Sequence, residues 1–107
     1  MRMWNIPPAL LCRQHLLGEH LEMHMFAGAI NKGQNLSGYV RKGLVEIHSI
    51  KIRHAALVFE MIKRGYRHQS PLPLFKESFT GNINVFGNLI ELSRRCKECE
   101  KRIVNYK

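Results

Sequence analysis

The amino-acid sequence predicts an all-α fold, with three helices and an N-terminal arm packed between them in a single domain over residues 1–107. Apolar residues recur at helical spacing in two long segments, and no segment shows a strong strand pattern. A glycine that can stop a helix follows each of these two segments. With 107 residues, the chain can bury one core without disulfides or a structural metal.

The individual elements follow from capping and turn signals. Pro7 and Pro8 suit a helix start, because proline has no backbone donor to lose in the first turn. Ser49 is a good N-cap for the second helix. Gly33 and Gly65 are the expected stops. The predicted elements are an arm over residues 1–6, helices over residues 8–31, 49–64 and 85–104, and irregular segments over residues 33–43 and 66–84.

The second helix is predicted from a row of apolar residues three and four positions apart. Such a row is typical of the face that a helix turns toward a core. Its members are Ile52, Ala55, Ala56, Phe59 and Ile62.

The chain is strongly basic, with 17 Lys and Arg against 8 acidic residues and a net charge of +9. A helical domain with this charge typically meets a polyanion, and nucleic acid is the default. A membrane role is disfavoured, because no apolar run is long enough to span a bilayer. The start does not read as a signal peptide, and three cysteines are an odd count that fits a reduced cytoplasmic protein.

Residues 13–26 hold half of the histidines and a quarter of the carboxylates, inside a segment that reads as a mostly buried helix. Burying titratable groups is costly, so a small protein that does so usually needs them. A helical wheel divides them into two opposite stripes. The first stripe contains His15, Glu19 and Glu22, and the second contains Arg13, His20 and His24.

Glu22 is the strongest candidate for chemistry. Helical side chains lean toward the N-terminus, so its carboxylate should lie over Gly18. A glycine inside a helix costs about 1 kcal/mol relative to alanine. The space that it leaves would let a sugar or another backbone approach Glu22. The competing interpretation is an exposed polar stripe with a charge-assisted pair.

Metal chemistry is a minor alternative. His20 and His24 have the i, i+4 spacing of metal ligands, but no third ligand is obvious and the order is not that of zinc hydrolases. Cys96 and Cys99 form a lone CxxC, which without a second pair is expected to be two free thiols on a solvated face. No metal or other cofactor is therefore predicted.

Several of these residues occur together in a known family. The features are Arg2 in a short arm, then Gln14, His15, Leu16, Glu19 and Glu22 on one helix, the continuation FAGAINK over residues 26–32, and a weaker match in the second helix that ends at residues 63–66. In these features the chain resembles the pyrimidine-dimer DNA glycosylase/AP lyases of the phage endonuclease V type. The resemblance covers the first third well, the second helix loosely and the C-terminal third hardly at all.

The resemblance implies a three-helix fold and an enzyme that cleaves damaged double-stranded DNA. In this family the α-amine of the first residue attacks the deoxyribose C1′, a helix glutamate matching Glu22 assists, and β-elimination nicks the strand. An α-amine titrates near neutrality, which suits it to attack as the free base. Because the large side chain of Arg2 normally prevents removal of the initiator methionine, Met1 is expected to supply this amine.

The chain also departs from the family pattern. Leu21 and Met25 stand where the family carries two arginines, and only Tyr106 remains of its aromatic tail. These changes favour lyase chemistry over dimer specificity, with an abasic site or another modified base as substrate. The alternative function is that of a non-catalytic DNA-binding module of the same fold. A monomer in the cytoplasm of a bacterial or phage-infected cell is expected. Expected DNA contacts are Arg2, Arg13, Gln14, His15, His20, His24, Arg53 and Arg64.

Overall fold

The computed structural model describes residues 1–106, which form helices and no strand. The all-α prediction is therefore confirmed, but three helices were too few, since this part of the chain holds five. Within it, no helix is both long and apolar enough to cross a bilayer. The order is a 3-10 turn at Pro8–Leu10, α1 at Arg13–Asn31, α2 at Ser37–Arg41, a 3-10 turn at Ile47–Ser49, α3 at Ile50–Lys63, α4 at Val85–Arg95 and α5 at Lys97–Val104.

Two cysteines account for breaks that the sequence did not predict. Cys12 has extended backbone and separates the first 3-10 turn from α1, and Cys96 does the same between α4 and α5. Each sulfur accepts a hydrogen bond from the backbone N–H three residues later, in the position of an N-cap. Helix α2 adds a single short helix inside the predicted glycine-rich loop.

Helices α1 and α3 pack against each other and share a buried ion pair. Arg53 donates from Nε and Nη2 to the Glu19 carboxylate at 2.7 and 2.8 Å, and from Nη1 to the carbonyl of Ile6 at 2.6 Å. Glu19 is 1% exposed and Arg53 is 5% exposed. The pair therefore joins both helices to the N-terminal arm.

The arm lies between these helices and α4. The Met3 N–H donates to the carbonyl of Leu44 at 2.8 Å, and the Asn88 side chain donates to the carbonyl of Trp4 at 2.8 Å. The side chains of Met3 and Trp4 are buried in the core. Leu44, α3 and α4 thus each hold part of the first six residues through a hydrogen bond.

Helix α3 occurs where it was predicted, but the opposite face is buried. Ile52, Phe59 and Ile62 are 74%, 72% and 60% exposed. The inner face carries Arg53 and His54, whose polar groups have partners inside the protein. The apolar row therefore located the helix but not the core. The buried residues of α3 are Ile50, Arg53, His54, Leu57 and Met61.

The start of α3 also differs from the prediction. Ser49 does not cap the helix through its side chain, because its hydroxyl donates to the Glu46 carboxylate at 2.7 Å. The residue precedes the helix as expected, but its side chain serves the preceding 3-10 turn.

We expect Arg53→Ala to destabilise the fold by about 3–5 kcal/mol, because it leaves the Glu19 carboxylate buried without a countercharge. Urea unfolding at neutral pH measures the loss. Arg94→Ala is the matched control, since Arg94 also pairs with a glutamate but is 77% exposed. An effect for Arg53→Ala no larger than that of the control would contradict this account of the core.

Candidate active site

A cavity of about 640 Å³ opens where the arm crosses α1. Both α1 and α4 contribute to its wall. Its size is in the range of small-molecule and nucleotide sites. The side chains relevant to chemistry around it belong to Met1, Arg2, Gln14, Glu22 and Arg95.

The Met1 amine and the Glu22 carboxylate face each other at the wall of this cavity. The amine nitrogen is 3.9 Å from Glu22 Oε1, and the Arg2 N–H donates to the same oxygen at 3.0 Å. The Met1 side chain is 16% exposed and that of Glu22 is 28% exposed. A small movement of the amine would bring the two groups into direct hydrogen-bond contact.

Glu19, one turn before Glu22, positions the arm so that the Met1 amine lies near the Glu22 carboxylate. Its Oε2 accepts the backbone N–H groups of Trp4 at 3.0 Å and Asn5 at 3.3 Å. Asn5 takes a positive φ of 58°, which turns the chain after the arm. Two carboxylates on one helix therefore hold backbone groups of the same short segment.

Burial raises the pKa of Glu22 above the ordinary value of a glutamate. The Arg2 N–H and the nearby amine act in the opposite direction and only partly offset it. A carboxyl in this state exchanges its proton closer to neutral pH than an exposed glutamate does. That property suits a group that must both accept and return a proton.

Gly18 leaves open space beside this pair, as expected from its spacing to Glu22. It lines the same cavity, and a Cβ placed on it would meet no atom of residues 1–106 within 4 Å. Gly18 therefore leaves the cavity open on the side of α1 next to the Glu22 carboxylate.

Four of the predicted DNA contacts line the cavity or are exposed at the start of α1. Gln14 is exposed on its rim. Arg2 stacks over the Trp4 ring at 4.0 Å and donates to the Asn88 side chain. Arg13 is exposed and lies 5.3 Å from the centroid of the Tyr66 ring. The fourth, His15, lines the cavity but also reaches a group of cysteines described below.

Three further residues that were expected to contact DNA, Arg53, His20 and Arg64, lie largely inside the protein. All three guanidinium nitrogens of Arg53 are used inside the core. His20 is 9% exposed, and its ring lies against three other histidines. Arg64 is 13% exposed and donates to the carbonyls of Pro8 and Leu11, which joins α3 to the first 3-10 turn.

The structure gathers two groups of side chains whose members are far apart in the sequence. His24, expected to contact DNA, instead joins His20, His54 and His68. Burial lowers the pKa of His20 to about 4, and the neighbouring histidines add to the effect. In the other group, Cys99 meets the sulfurs of two further cysteines and is fully buried, although a solvated face was expected for it.

Arg95 is a cavity residue that was not predicted. Its guanidinium lies 5.8 Å from the Trp4 ring, on the side of the cavity formed by α4. Nothing in the local sequence distinguishes it from Arg94, which is one position earlier. Its role depends on the packing of α4 against the arm.

Comparison with known families identifies one match. A family model described as pyrimidine dimer DNA glycosylase matches residues 1–74 of the 107-residue chain. The matched part contains the arm, α1, α2 and α3, and hence both Met1 and Glu22. No curated protein and no solved structure matches the chain significantly.

We expect Glu22→Gln to be at least as stable as the parent at neutral pH. A carboxyl whose pKa is raised by folding is costly to keep ionised above that pKa, and the cost disappears as the pH falls below its unfolded value. Glutamine keeps an acceptor for the Arg2 N–H but carries no charge. The advantage of the variant should therefore shrink as the pH is lowered, and urea unfolding at a series of pH values measures it.

Glu91→Gln is the control of opposite sign. Hydrogen bonds from Arg95 and Arg94 lower the pKa of Glu91, so its stabilising contribution is present at neutral pH and lost in acid. A loss of stability at neutral pH in Glu22→Gln, parallel to that in Glu91→Gln, would contradict the raised pKa of Glu22.

Proposed function

The chain belongs to the pyrimidine dimer DNA glycosylase family, and from this premise we propose that it is a DNA glycosylase/AP lyase that uses the α-amine of Met1 as nucleophile. Glu22 serves as the proton-transfer group. The observation that carries the proposal is the amine nitrogen 3.9 Å from the Glu22 carboxylate, at the wall of a cavity large enough for a nucleotide.

In the first step, the neutral amine attacks C1′ of the target nucleotide. The N–C1′ bond forms as the C1′–base bond breaks, and the base leaves with the electron pair and takes up a proton from the solvent. Glu22 then accepts a proton from the new secondary ammonium. It returns that proton to O4′ as the C1′–O4′ bond breaks, which leaves a protonated imine between Met1 and the opened sugar.

In the second step, the imine acidifies the hydrogen on C2′. The Glu22 carboxylate removes this proton, a double bond forms between C2′ and C3′, and the C3′–O bond breaks with loss of the 3′ phosphate. Water finally hydrolyses the imine and frees the amine. On an abasic site the same sequence begins at the aldehyde, so no base has to leave.

The surface around the cavity supports a DNA substrate. The net charge of +9 favours a polyanion, and Arg2 and Arg95 place two guanidinium groups on the cavity wall. The open space above Gly18 gives a sugar access to Glu22. A nucleotide inside a duplex reaches such a cavity only by flipping out of the stack, which is least costly at a damaged or abasic position.

The substrate that we propose is an abasic site or a modified base rather than a pyrimidine dimer alone. Leu21 and Met25, which replace arginines of the family pattern, are 60% and 48% exposed on α1. Two apolar side chains at this surface cannot pair with phosphates, so the grip on the strand must come from elsewhere. Gln14 and Arg95 are exposed polar groups at the cavity, and Arg13 is exposed at the start of α1.

Borohydride trapping on duplex DNA with a single abasic site tests the chemistry. We expect a covalent adduct that mass spectrometry maps to the Met1 nitrogen, because reduction fixes the imine. Glu22→Gln should lower the nicking rate by about 10²-fold or more while DNA affinity is kept. An adduct on a lysine, or none with intact binding, would overturn the proposal, and the latter result would favour a non-catalytic DNA-binding module.

Two length variants separate the amine from the rest of the arm. An uncleaved two-residue extension ahead of Met1 moves the free amine away from Glu22, and we expect it to abolish trapping. The same two residues added at the C-terminal end serve as the matched control and should leave trapping unchanged. Equal trapping by both variants would exclude the terminal amine as nucleophile.

A further inference from the structure

Two groups of metal-ligating side chains lie outside the chemistry proposed above. The first, here called the cysteine cluster, consists of Cys12, His15, Cys96 and Cys99. Cys12 and His15 belong to the start of α1, and the other two residues belong to the junction of α4 and α5. Their four ligand atoms all lie within 4.8 Å of one another.

The distances inside the cysteine cluster fit a tetrahedral ion. Cys12 Sγ is 3.3 Å from His15 Nδ1 and 3.9 Å from Cys96 Sγ, and Cys99 Sγ is 3.6 Å from His15 Nδ1. With Zn–S bonds of about 2.3 Å and Zn–N bonds of about 2.0–2.1 Å, a regular tetrahedron separates two sulfurs by about 3.8 Å and sulfur from nitrogen by about 3.6 Å. The side chains are thus already arranged at zinc-binding separations.

The backbone around the cluster is also arranged for thiolates. The N–H groups of Cys12, His15 and Cys99 donate to the sulfurs of Cys99, Cys12 and Cys96, respectively. Cys12 and Cys96 each cap the N-terminus of a helix, where the helix dipole favours negative charge. Both halves place two ligands three positions apart, a common ligand spacing of structural zinc sites.

A disulfide does not explain the cluster. All three cysteines are free, and the Cys12 and Cys96 sulfurs are 3.9 Å apart, whereas a disulfide bond is about 2.05 Å long. A single disulfide would also use only two of the four side chains, and would not explain why the third thiol and His15 lie in the same place.

We propose that the cysteine cluster binds one Zn²⁺ in a closed, structural site. Four protein ligands leave no open position for a substrate, which distinguishes it from a catalytic zinc. The ion would fasten the junction of α4 and α5 to the start of α1. This junction directly follows Arg95, and α4 also carries Asn88, which holds the arm. His15 is then a ligand through Nδ1, and the cluster is distinct from Met1 and Glu22.

Metal analysis and cobalt substitution of the full, untagged chain test this site. We expect zinc to be retained through dialysis and Co²⁺-loaded protein to show tetrahedral visible bands together with thiolate-to-cobalt charge transfer. Cys99→Ser should lose one zinc per chain and the charge-transfer band. His48→Gln is the control, since His48 stacks on Phe79 outside both groups and should change neither signal.

Because Cys99→Ser is a core substitution that can unfold the chain, the decisive measurement uses the parent protein. Apo-protein titrated with Co²⁺ should develop the charge-transfer band to one equivalent and gain thermal stability with it. Absence of that band in folded parent protein, or isolation of a Cys12–Cys96 disulfide from protein purified under reducing conditions, would overturn the proposal.

The second group, here called the histidine cluster, consists of His20, His24, His54 and His68. His24 Nε2 and His54 Nε2 are 3.2 Å apart, close to the separation of about 3.3 Å between two nitrogens bound tetrahedrally to one zinc. Within residues 1–106, the Nε2 atoms of His20 and His68 are buried and have no hydrogen-bond partner. Buried polar atoms without partners are rare, and four imidazoles that converge on one point can bind an ion there.

We infer that the histidine cluster binds a second divalent transition-metal ion, with imidazole ligands that suit zinc, nickel or copper. The argument is independent of the first, since it rests on unpartnered nitrogens and on different residues. Such an ion would connect the middle of α1 and α3 to His68, which follows α3.

A single variant separates the second site from the first. We expect His68→Ala to lower the metal content by one ion per chain while the thiolate-to-cobalt band stays intact, because its position after the last turn of α3 leaves the core in place. His48→Gln is again the control. Metal content unchanged by His68→Ala, or loaded parent protein whose only metal is the ion that gives the thiolate-to-cobalt band, would overturn this second site.

Discussion

The carboxylate of Glu19 is the point on which the rest of the structure depends. It receives Nε and Nη2 of Arg53 and the backbone N–H groups of Trp4 and Asn5. A buried ion pair contributes little net stability compared with apolar packing, but breaking it leaves an uncompensated charge. One buried charge therefore fixes the spacing of α1 and α3 and the path of the arm together.

Glu19 and Glu22 show how neighbouring carboxylates on one helix acquire different properties. Glu19 is enclosed and met by four donors, so its charge is well compensated. Glu22 is partly buried, its partners within residues 1–106 are the Arg2 N–H and a more distant amine, and its pKa is raised. Unequal compensation of two similar groups is a recurrent way of dividing structural and chemical roles.

The sequence was informative where the relevant signals are local. The spacing of Gly18 and Glu22 is contained in two turns of one helix, so the open space beside the carboxylate could be anticipated. The inner face of α3 could not be anticipated from the sequence, because Arg53 is buried only through a partner 34 residues away. The cysteine cluster could not be predicted for the same reason. Each half is a weak pair of ligands, and Cys12 in one half is 84 residues from Cys96 in the other. Weak local pairs gain meaning only when the fold brings them together.

The arm is held through its backbone, and this has a genetic consequence. The N–H groups of Arg2, Trp4 and Asn5 contact the two glutamates, whereas the Met1 side chain takes no part in these bonds. The identity of the first side chain is therefore not what places the amine near Glu22. Inserting or deleting one codon ahead of Trp4 shifts that nitrogen by about 3.3–3.6 Å. This is nearly the whole separation of 3.9 Å between the amine and Glu22, so an in-frame length change in the first codons would move the amine away from its place beside that carboxylate.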